Sequence, residues 1–468
     1  LGPDHPETAD VLGSLVTAYA ASGEFAQAEP LAQRVVRLRE KAAGPDHPAT
    51  AQSLITFAWL AASQQRYREA ADLFKRGLML QEKHIRNSFP VAEAAHRPAL
   101  IRSLSGDMFM FLSLIHQHGK GDRDAARDGL ELALRRKGAL IDAEFLVSDE
   151  MRNRLPARAR SEWKELDAAR GELARLARAK PEKMAREVYR EALAALNQRI
   201  ETTEQRLAGE SAVVARALQR KTVTAEDAAK ALPENSALVE FVKIREFDFG
   251  AGKWKASGRY LAFVLRKSGD VVLADLGDTA RLEERVRRVL EDVRGSMKPG
   301  DAAPAKKPRG RPTLPRGQRS LEDLYAHLWA PLEPALGSAD RILLSPDGLL
   351  NLVPFAALRD GQGRSLVERY QLAYLAGGGE LAGGEGASSR SGSDLLLVAN
   401  PAFGKRHAGF APLPGTERDG QEMAALIGAN GAATHVLVGK LATESAVKAA
   451  GSPRILHLAT HGFFLSDE

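Results

Sequence analysis

Apolar residues recur every three or four positions through the first half of the chain and gather into short continuous runs in the second. The sequence therefore predicts a helical part followed by an α/β part. Leu12, Leu15, Val16 and Tyr19 stripe a first helix, Ser22-Gly23-Glu24 breaks it, and Ala28, Leu31, Val35 and Leu38 stripe a second. The pattern then returns 42 residues on: Gly2-Pro3-Asp4-His5-Pro6 reappears as Gly44-Pro45-Asp46-His47-Pro48, and Leu12 with Leu54, Phe25 with Tyr67, Ala28 with Ala70 and Leu31 with Leu73 keep the same offset. Each unit reads as a helix pair, with proline placed where a first helical turn tolerates it.

Residues 1–83 resemble tetratricopeptide repeats of the longer kind found in kinesin light chains, whose units open on a similar Gly-Pro-Asp-His-Pro element. Two units cannot bury a solenoid core alone, so further repeats are expected upstream of Leu1, downstream, or both. His5 and His47 occupy equivalent turn positions and lack nearby partners, which favours a structural role over a metal site.

Residues 84–231 read as divergent helices and a helical connector. Leu100, Leu104, Met108, Phe111, Leu112 and Ile115 continue the helical spacing without the repeat signature. Leu166, Leu173, Leu176, Met184, Tyr189, Leu193, Leu196 and Ile200 then stripe a densely charged stretch. Two pictures fit that stretch: an antiparallel coiled hairpin bent near Pro181, or helices with a solvated charged face and no partner.

After Pro233 the period changes. Strands are predicted over 237–242, 259–265, 271–276, 341–344, 395–399, 435–438 and 454–458, and helices over 280–294, 321–336, 417–427 and 443–449. Continuously apolar strands such as Leu395-Leu396-Leu397-Val398 point to a mostly parallel sheet covered on both faces by helices. Ligand sites in such sheets gather beyond the carboxyl ends of strands. Two segments interrupt this part: 297–319, which carries Lys298, Lys306, Lys307, Arg309, Arg311, Arg316 and Arg319 among prolines and glycines, and the Gly/Ser-rich 377–393. Both read as loops. The basic one lacks the aromatics and folded frame of a nucleic-acid site, which favours a solvated linker.

Composition narrows the chemistry. At 468 residues, 44% hydrophobic and 27% charged, the chain is long enough for several cores, and no apolar run approaches the roughly 18 residues of a membrane span. A net charge of +6 is mild, so charge alone does not point to nucleic acid. There is no cysteine, hence no disulfide, as suits a cytoplasmic protein. No phosphate loop, dinucleotide fingerprint or Gly-x-Ser-x-Gly elbow is present, and no cofactor is expected.

The candidate chemistry lies at Thr460-His461-Gly462, directly after the strand-like run Arg454-Ile455-Leu456-His457-Leu458-Ala459, which is expected to be buried. Strand alternation puts His457 on one face with Ile455 and Ala459, as a packed histidine behind the site. His457 and His461 do not make a zinc pair: four strand residues span about 13 Å, and Leu458 stands where the helical zinc motif needs glutamate.

Leu344-Ser345-Pro346-Asp347-Gly348-Leu349-Leu350, Val353-Pro354-Phe355-Ala356-Ala357-Leu358, Ala399-Asn400-Pro401, Leu413-Pro414-Gly415-Thr416, Ala442-Thr443-Glu444 and His457-Leu458-Ala459-Thr460-His461-Gly462 stand in the order of the landmarks of CHAT domains. Residues 232–468 resemble that caspase-related peptidase family, which is found fused to tetratricopeptide repeats in bacteria. The resemblance implies a cysteine endopeptidase in which His461 is the general base and the Gly462 N–H helps hold the oxyanion. It places the nucleophile at the end of the next strand, roughly 50 residues further on by the caspase pattern. The chain begins at Leu1 and ends at Glu468, so it reads as a piece of a longer protein, inactive alone for want of the thiol. The expected partners are a protein or complex bound through the repeats, whose binding shifts the protease to a competent state, and a protein substrate. The other reading is a non-catalytic scaffold built on a degenerate peptidase fold.

Overall fold

The computed structural model describes residues 6–88, 97–147, 155–178, 186–210, 214, 223–296, 316–383, 394–403, 410–429, 431–450 and 453–461. They fall into two compact units, Leu1–Gly384 and Glu385–Glu468.

The first unit opens with the two repeats, α1 (Pro6–Ala21) with α2 (Phe25–Ala43) and α3 (Pro48–Ser63) with α4 (Tyr67–Ser88). Small residues set how closely these helices cross: Ala20, Ala28 and Ala32 pack on Phe57 and Leu60, and Ala58, Ala61, Ala62 and Ala70 surround Phe74. The turns match too. Gly23 closes the first pair at φ +77°, and Gln65 takes the equivalent place in the second at φ +63°, a left-handed conformation that glycine adopts freely and glutamine does not. His47 caps α3, its Nδ1 accepting from Ala49 N at 3.1 Å, with Pro48 at the first helical position. His5 lies outside the described residues.

The next pair, α5 (Arg97–His118) and α6 (Arg123–Val147), leaves the repeat pattern because its apolar face covers a sheet. Leu112, Ala126, Leu130, Ala133 and Leu134 pack on Leu238, Val242, Ile244, Leu261 and Phe263. The sheet has the order β3-β2-β1-β4-β5, built from β1 (Ser236–Asp248), β2 (Lys253–Arg266), β3 (Val271–Asp278), β4 (Arg341–Ser345) and β5 (Gln371–Tyr374). A short helix, α9 (Ala225–Ala231), precedes β1 on the side of α6. The opposite face is closed by α10 (Thr279–Ser296), α11 (Arg316–Leu328), Trp329 and the four-residue α12 (Glu333–Leu336), which pack on Ala237, Val239, Phe241, Ile342 and Leu344. The mostly parallel sheet expected from sequence is corrected here: β1 pairs with β2 and β2 with β3 antiparallel, and only β4 and β5 are parallel to their neighbours. Burial on both faces produces the same apolar runs in either pairing. β5 was missed because it is a short edge strand with Gln371, Ala373 and Tyr374 exposed. The segment predicted as one helix over 321–336 is broken at Ala330–Leu332 by a 3-10 turn containing Pro331.

The β1–β2 hairpin runs on past the sheet and ends in the repeats. After a register shift between Arg245 and Phe247, Phe247 meets Trp59 of α3 edge to face at 6.5 Å, and Phe249 meets Phe74 of α4 likewise at 6.5 Å. Ser63 Oγ donates to Phe249 O at 3.0 Å and Gln117 Nε2 to Phe247 O at 2.8 Å. Repeats and sheet therefore share a core.

The charged stretch folds as two antiparallel helices, which reconciles its two sequence readings. Leu166, Leu173, Tyr189, Leu193 and Ile200 bury a seam between α7 (Ala157–Arg178) and α8 (Arg186–Glu210). Ion pairs flank it, Arg158–Glu210 at 2.8 Å and Arg170–Glu204 at 2.7 Å. Pro181 lies outside the described residues. This hairpin touches the second repeat at His47. Because Nδ1 of His47 accepts from the Ala49 amide, its Nε2 carries the proton and donates to Tyr189 Oη at 3.2 Å, while the Tyr189 hydroxyl donates to Leu176 O. Burial, then the neighbouring His84, with a smaller push from Arg39, lower the His47 pKa from 6.5 to about 4, against an opposing backbone hydrogen bond at Ala177. A pKa depressed in the folded state means stability fully present above the unfolded value and lost as pH falls from 6.5 towards 4. The ceiling is about 3 kcal/mol, and for a half-buried ring exposed to screening the working figure is about 1–2 kcal/mol. Amide exchange of α3 and α8 should accelerate across that window in the native protein, and a His47→Asn variant, whose cap cannot take up a proton, should flatten the dependence. An unchanged slope in the variant rejects the assignment.

The second unit holds a three-stranded parallel sheet of order β7-β6-β8, from β6 (Leu395–Pro401), β7 (Thr434–Gly439) and β8 (Ile455–Ala459). α13 (Pro414–Gly428) covers the face of Leu395, Leu397 and Ala399. α14 (Glu444–Ala449) covers the face of Leu396, Val398 and Leu437. Here the expected parallel, two-faced sheet is observed.

Candidate active site around His461

The site is built at the carboxyl end of β8. Parallel pairing sets Leu397 opposite His457 and Ala399 opposite Ala459, so His457 and Ala459 lie on the α13 face. Contrary to the expected burial, β8 lies at the edge of the sheet formed by the described residues: Ile455 is 43% and Leu458 56% exposed, and His457 is half-buried rather than packed in a core. β6 is buried because it has a neighbour on each side. β8 pairs only with β6 among the described residues.

His461 follows the strand and is half-buried. Its Nε2 lies 2.7 Å from Ala411 O, in the loop leading into α13. A carbonyl only accepts, so Nε2 carries the proton and the lone pair of the neutral ring sits on Nδ1. Phe403 and Phe410 pack beside the imidazole with centroids 5.6 and 5.1 Å away, and 5.1 Å from each other. The ring is thus held on one edge and along its faces, with Nδ1 as its basic atom. That is the state a general base requires. Gly462 lies outside the described residues. Sequence reasoning missed Ala411, Phe403 and Phe410. A backbone carbonyl leaves no sequence signal, although two phenylalanines close to the Asn400 and Leu413 landmarks were a signal available to be read.

The other landmarks prove architectural. In the first unit, Asp347 Oδ2 accepts from Lys243 N at 2.7 Å, tying the turn after β4 to β1. Gly348 stands at φ +54°, and a Cβ there would lie 2.7 Å from Tyr260 Oη, so the turn admits only glycine. Phe355 is fully buried against Phe241 and Trp329. In the second unit, Thr443 caps α14 by accepting from Ala446 N. Among the described residues no group of three His, Asp or Glu side chains is arranged to hold a metal, and no helix is long and apolar enough to cross a membrane.

Residues 7–83 match the tetratricopeptide repeat family and residues 318–468 match the CHAT domain family, the second match beginning in α11. No curated protein matches the chain. The chain therefore carries a tetratricopeptide repeat region followed by a CHAT domain, the organisation of a TPR-CHAT protein.

Proposed function

We propose that the protein is the partner-binding and base-bearing part of a caspase-like cysteine endopeptidase. The observation that carries this reading is the His461 imidazole, fixed beyond a parallel strand with Nε2–H given to Ala411 O and the Nδ1 lone pair left as base. In the mechanism, Nδ1 takes the proton of a cysteine thiol as the sulfur attacks the scissile carbonyl, and the tetrahedral oxyanion is held in part by the Gly462 N–H. His461 then returns the proton to the leaving amine, and a water, deprotonated in the same way, frees the acyl group. The chain contains no cysteine, so the nucleophile is assigned to sequence beyond Glu468, and the 468 residues alone should not cleave peptides. The repeats are assigned to a protein partner, the substrate to a protein, and the compartment to the cytoplasm.

The test is cleavage by the intact gene product before and after thiol alkylation. Alkylation-sensitive cleavage is expected, and cleavage by the 468-residue chain alone that resists alkylation would overturn the reading. The second reading is a scaffold, favoured by the repeat face that the chain's own Phe247 and Phe249 occupy. An intact gene product without a cysteine after a downstream strand selects it. Deleting the repeats does not separate the two, because removing Ile55 and Phe74 would strip the sheet's own hairpin of its packing.

A further inference from the structure

Asn400 holds a backbone conformation few side chains accept. Its φ is +43°, and the pairing of β6 with β7 shifts register between Ala399 and Pro401. Asparagine tolerates the left-handed region better than most residues, yet such conformations persist only where surrounding contacts hold them. Three hydrogen bonds do so here. Asn400 N donates to Thr416 Oγ1 at 3.1 Å, Asn400 Nδ2 donates to Glu417 Oε2 at 3.0 Å, and Asn400 Oδ1 accepts from Leu413 N at 2.8 Å. Thr416 Oγ1 donates onward to Leu413 O at 2.8 Å, so Leu413 is gripped at both its amide and its carbonyl.

Among the described residues, the groups placed against His461 hang from this knot. Phe403 follows Asn400 closely in the chain, and Phe410 and Ala411 lie just before Leu413. The two rings and the one carbonyl that hold the imidazole thus enter from opposite sides of a single side-chain amide. The Glu417 carboxylate accepts only, so it fixes which way the amide faces: NH₂ to Glu417, carbonyl to the Leu413 amide.

We infer that Asn400 is a positioning residue for His461: by clamping Leu413 N it presents the Ala411 carbonyl to Nε2 and so keeps the basic lone pair on Nδ1. The inference rests on the reading of His461 as the base, but its readout needs no turnover and no thiol.

The experiment is imidazole NMR on the full chain carrying 15N-histidine, with the His461 signals identified by their loss in His461→Gln. In the native protein the His461 nitrogens should report the Nε2–H form almost alone, and its ring protons should show contacts to Phe403 and Phe410. Asn400→Gly keeps the backbone free to adopt φ +43° and removes only the amide. It should lose those ring contacts and move both nitrogens to the averaged values of a free histidine, while the amides of β6, β7 and β8 stay protected. The double variant Asn400→Asp with Glu417→Gln exchanges donor for acceptor across the pair, leaves an oxygen for Leu413 N, and should restore the native signals. Unchanged His461 signals in Asn400→Gly overturn the inference. If Asn400→Gly loses sheet protection, the double variant decides: a protected sheet with native His461 signals supports the clamp, and a protected sheet with averaged signals rejects it. Failure of the peptidase reading would appear in the alkylation experiment instead, leaving this one unaffected.

Discussion

Replacing His461 with alanine in the intact gene product should lower kcat/KM for peptide cleavage by about 10²–10⁴-fold, the range a positioned general base contributes. The size follows from what is lost. Without Nδ1 at hand the thiol ionises only to its own extent, and the leaving amine must take its proton from water. The loss should not be total, because oxyanion donors and substrate binding act without the base. Alkylation of the active thiol at neutral pH should slow in parallel, which separates a lost base from lost substrate binding. His457→Ala is the matching control. His457 is half-buried on β8, which ends at Ala459, and the contacts that hold the His461 ring come instead from Ala411, Phe403 and Phe410, so cleavage should stay within a few-fold of native. If His457→Ala abolishes cleavage and His461→Ala does not, the two roles are exchanged and the assignment of the base fails. Amide protection of β6 and β8 in both variants tells a chemical defect from an unfolded sheet.

How much of this was legible in the sequence depended on whether the signal was local. The repeat was readable because Leu12 and Leu54, or Ala28 and Ala70, keep both spacing and size, and amphipathic periodicity is a property of one helix at a time. The strands from β1 to β4 and from β6 to β8 were found for the same reason, and the continuous apolar runs of β1, β2, β4 and β6 announced their burial, whereas the equally apolar run of β8 lies exposed. Pairing direction was not readable, since a strand buried on both sides looks alike whether its neighbour runs with it or against it. β5 was too short and exposed to register. The destination of Phe247 and Phe249 was hidden because their partners, Trp59 and Phe74, lie in a segment the sequence presented as self-contained. At the site, His461 stood out as a histidine in a glycine turn after a strand. The carbonyl that selects its tautomer belongs to an alanine, whose side chain says nothing about it.

The second large effect is expected far from His461, at Lys137. Alternation along β1 turns Glu240 towards the face covered by α6, where it is 0% exposed amid Leu134 and Leu238. Its oxygens meet Lys137 Nζ at 2.9 Å, Ser345 Oγ at 2.8 Å and Gly378 N at 2.9 Å, and Lys137 Nζ also donates to Phe241 O and to Ser345 O. A Cβ on Gly378 would lie 2.6 Å from the Glu240 carboxylate, so that glycine is part of the fit. Burial pushes the Glu240 carboxyl above its ordinary 4.5, and Lys137 is the largest influence pulling it back down. The pair therefore does not repay its own desolvation, and its importance appears when one partner is removed. Lys137→Met leaves a buried carboxylate without its cation, and the group escapes by taking a proton. At pH 7 that proton costs about 3 kcal/mol for a carboxyl of ordinary pKa 4.5, and at pH 5 less than about 1 kcal/mol. Amide exchange in β1 and β4 should thus accelerate by at most about 100-fold at pH 7, since native Glu240 already bears part of that cost, and the effect should shrink to a few-fold at pH 5. The sign matches a carboxyl raised in the folded state, whose contribution is complete below 4.5 and declines as pH rises through the folded value. Adding Glu240→Leu to Lys137→Met removes the charge that needed neutralising, and should recover most of the protection at pH 7. A double variant no better than the single one would show that the polar contacts of Ser345 and Gly378, rather than the charge pair, hold α6 to the sheet.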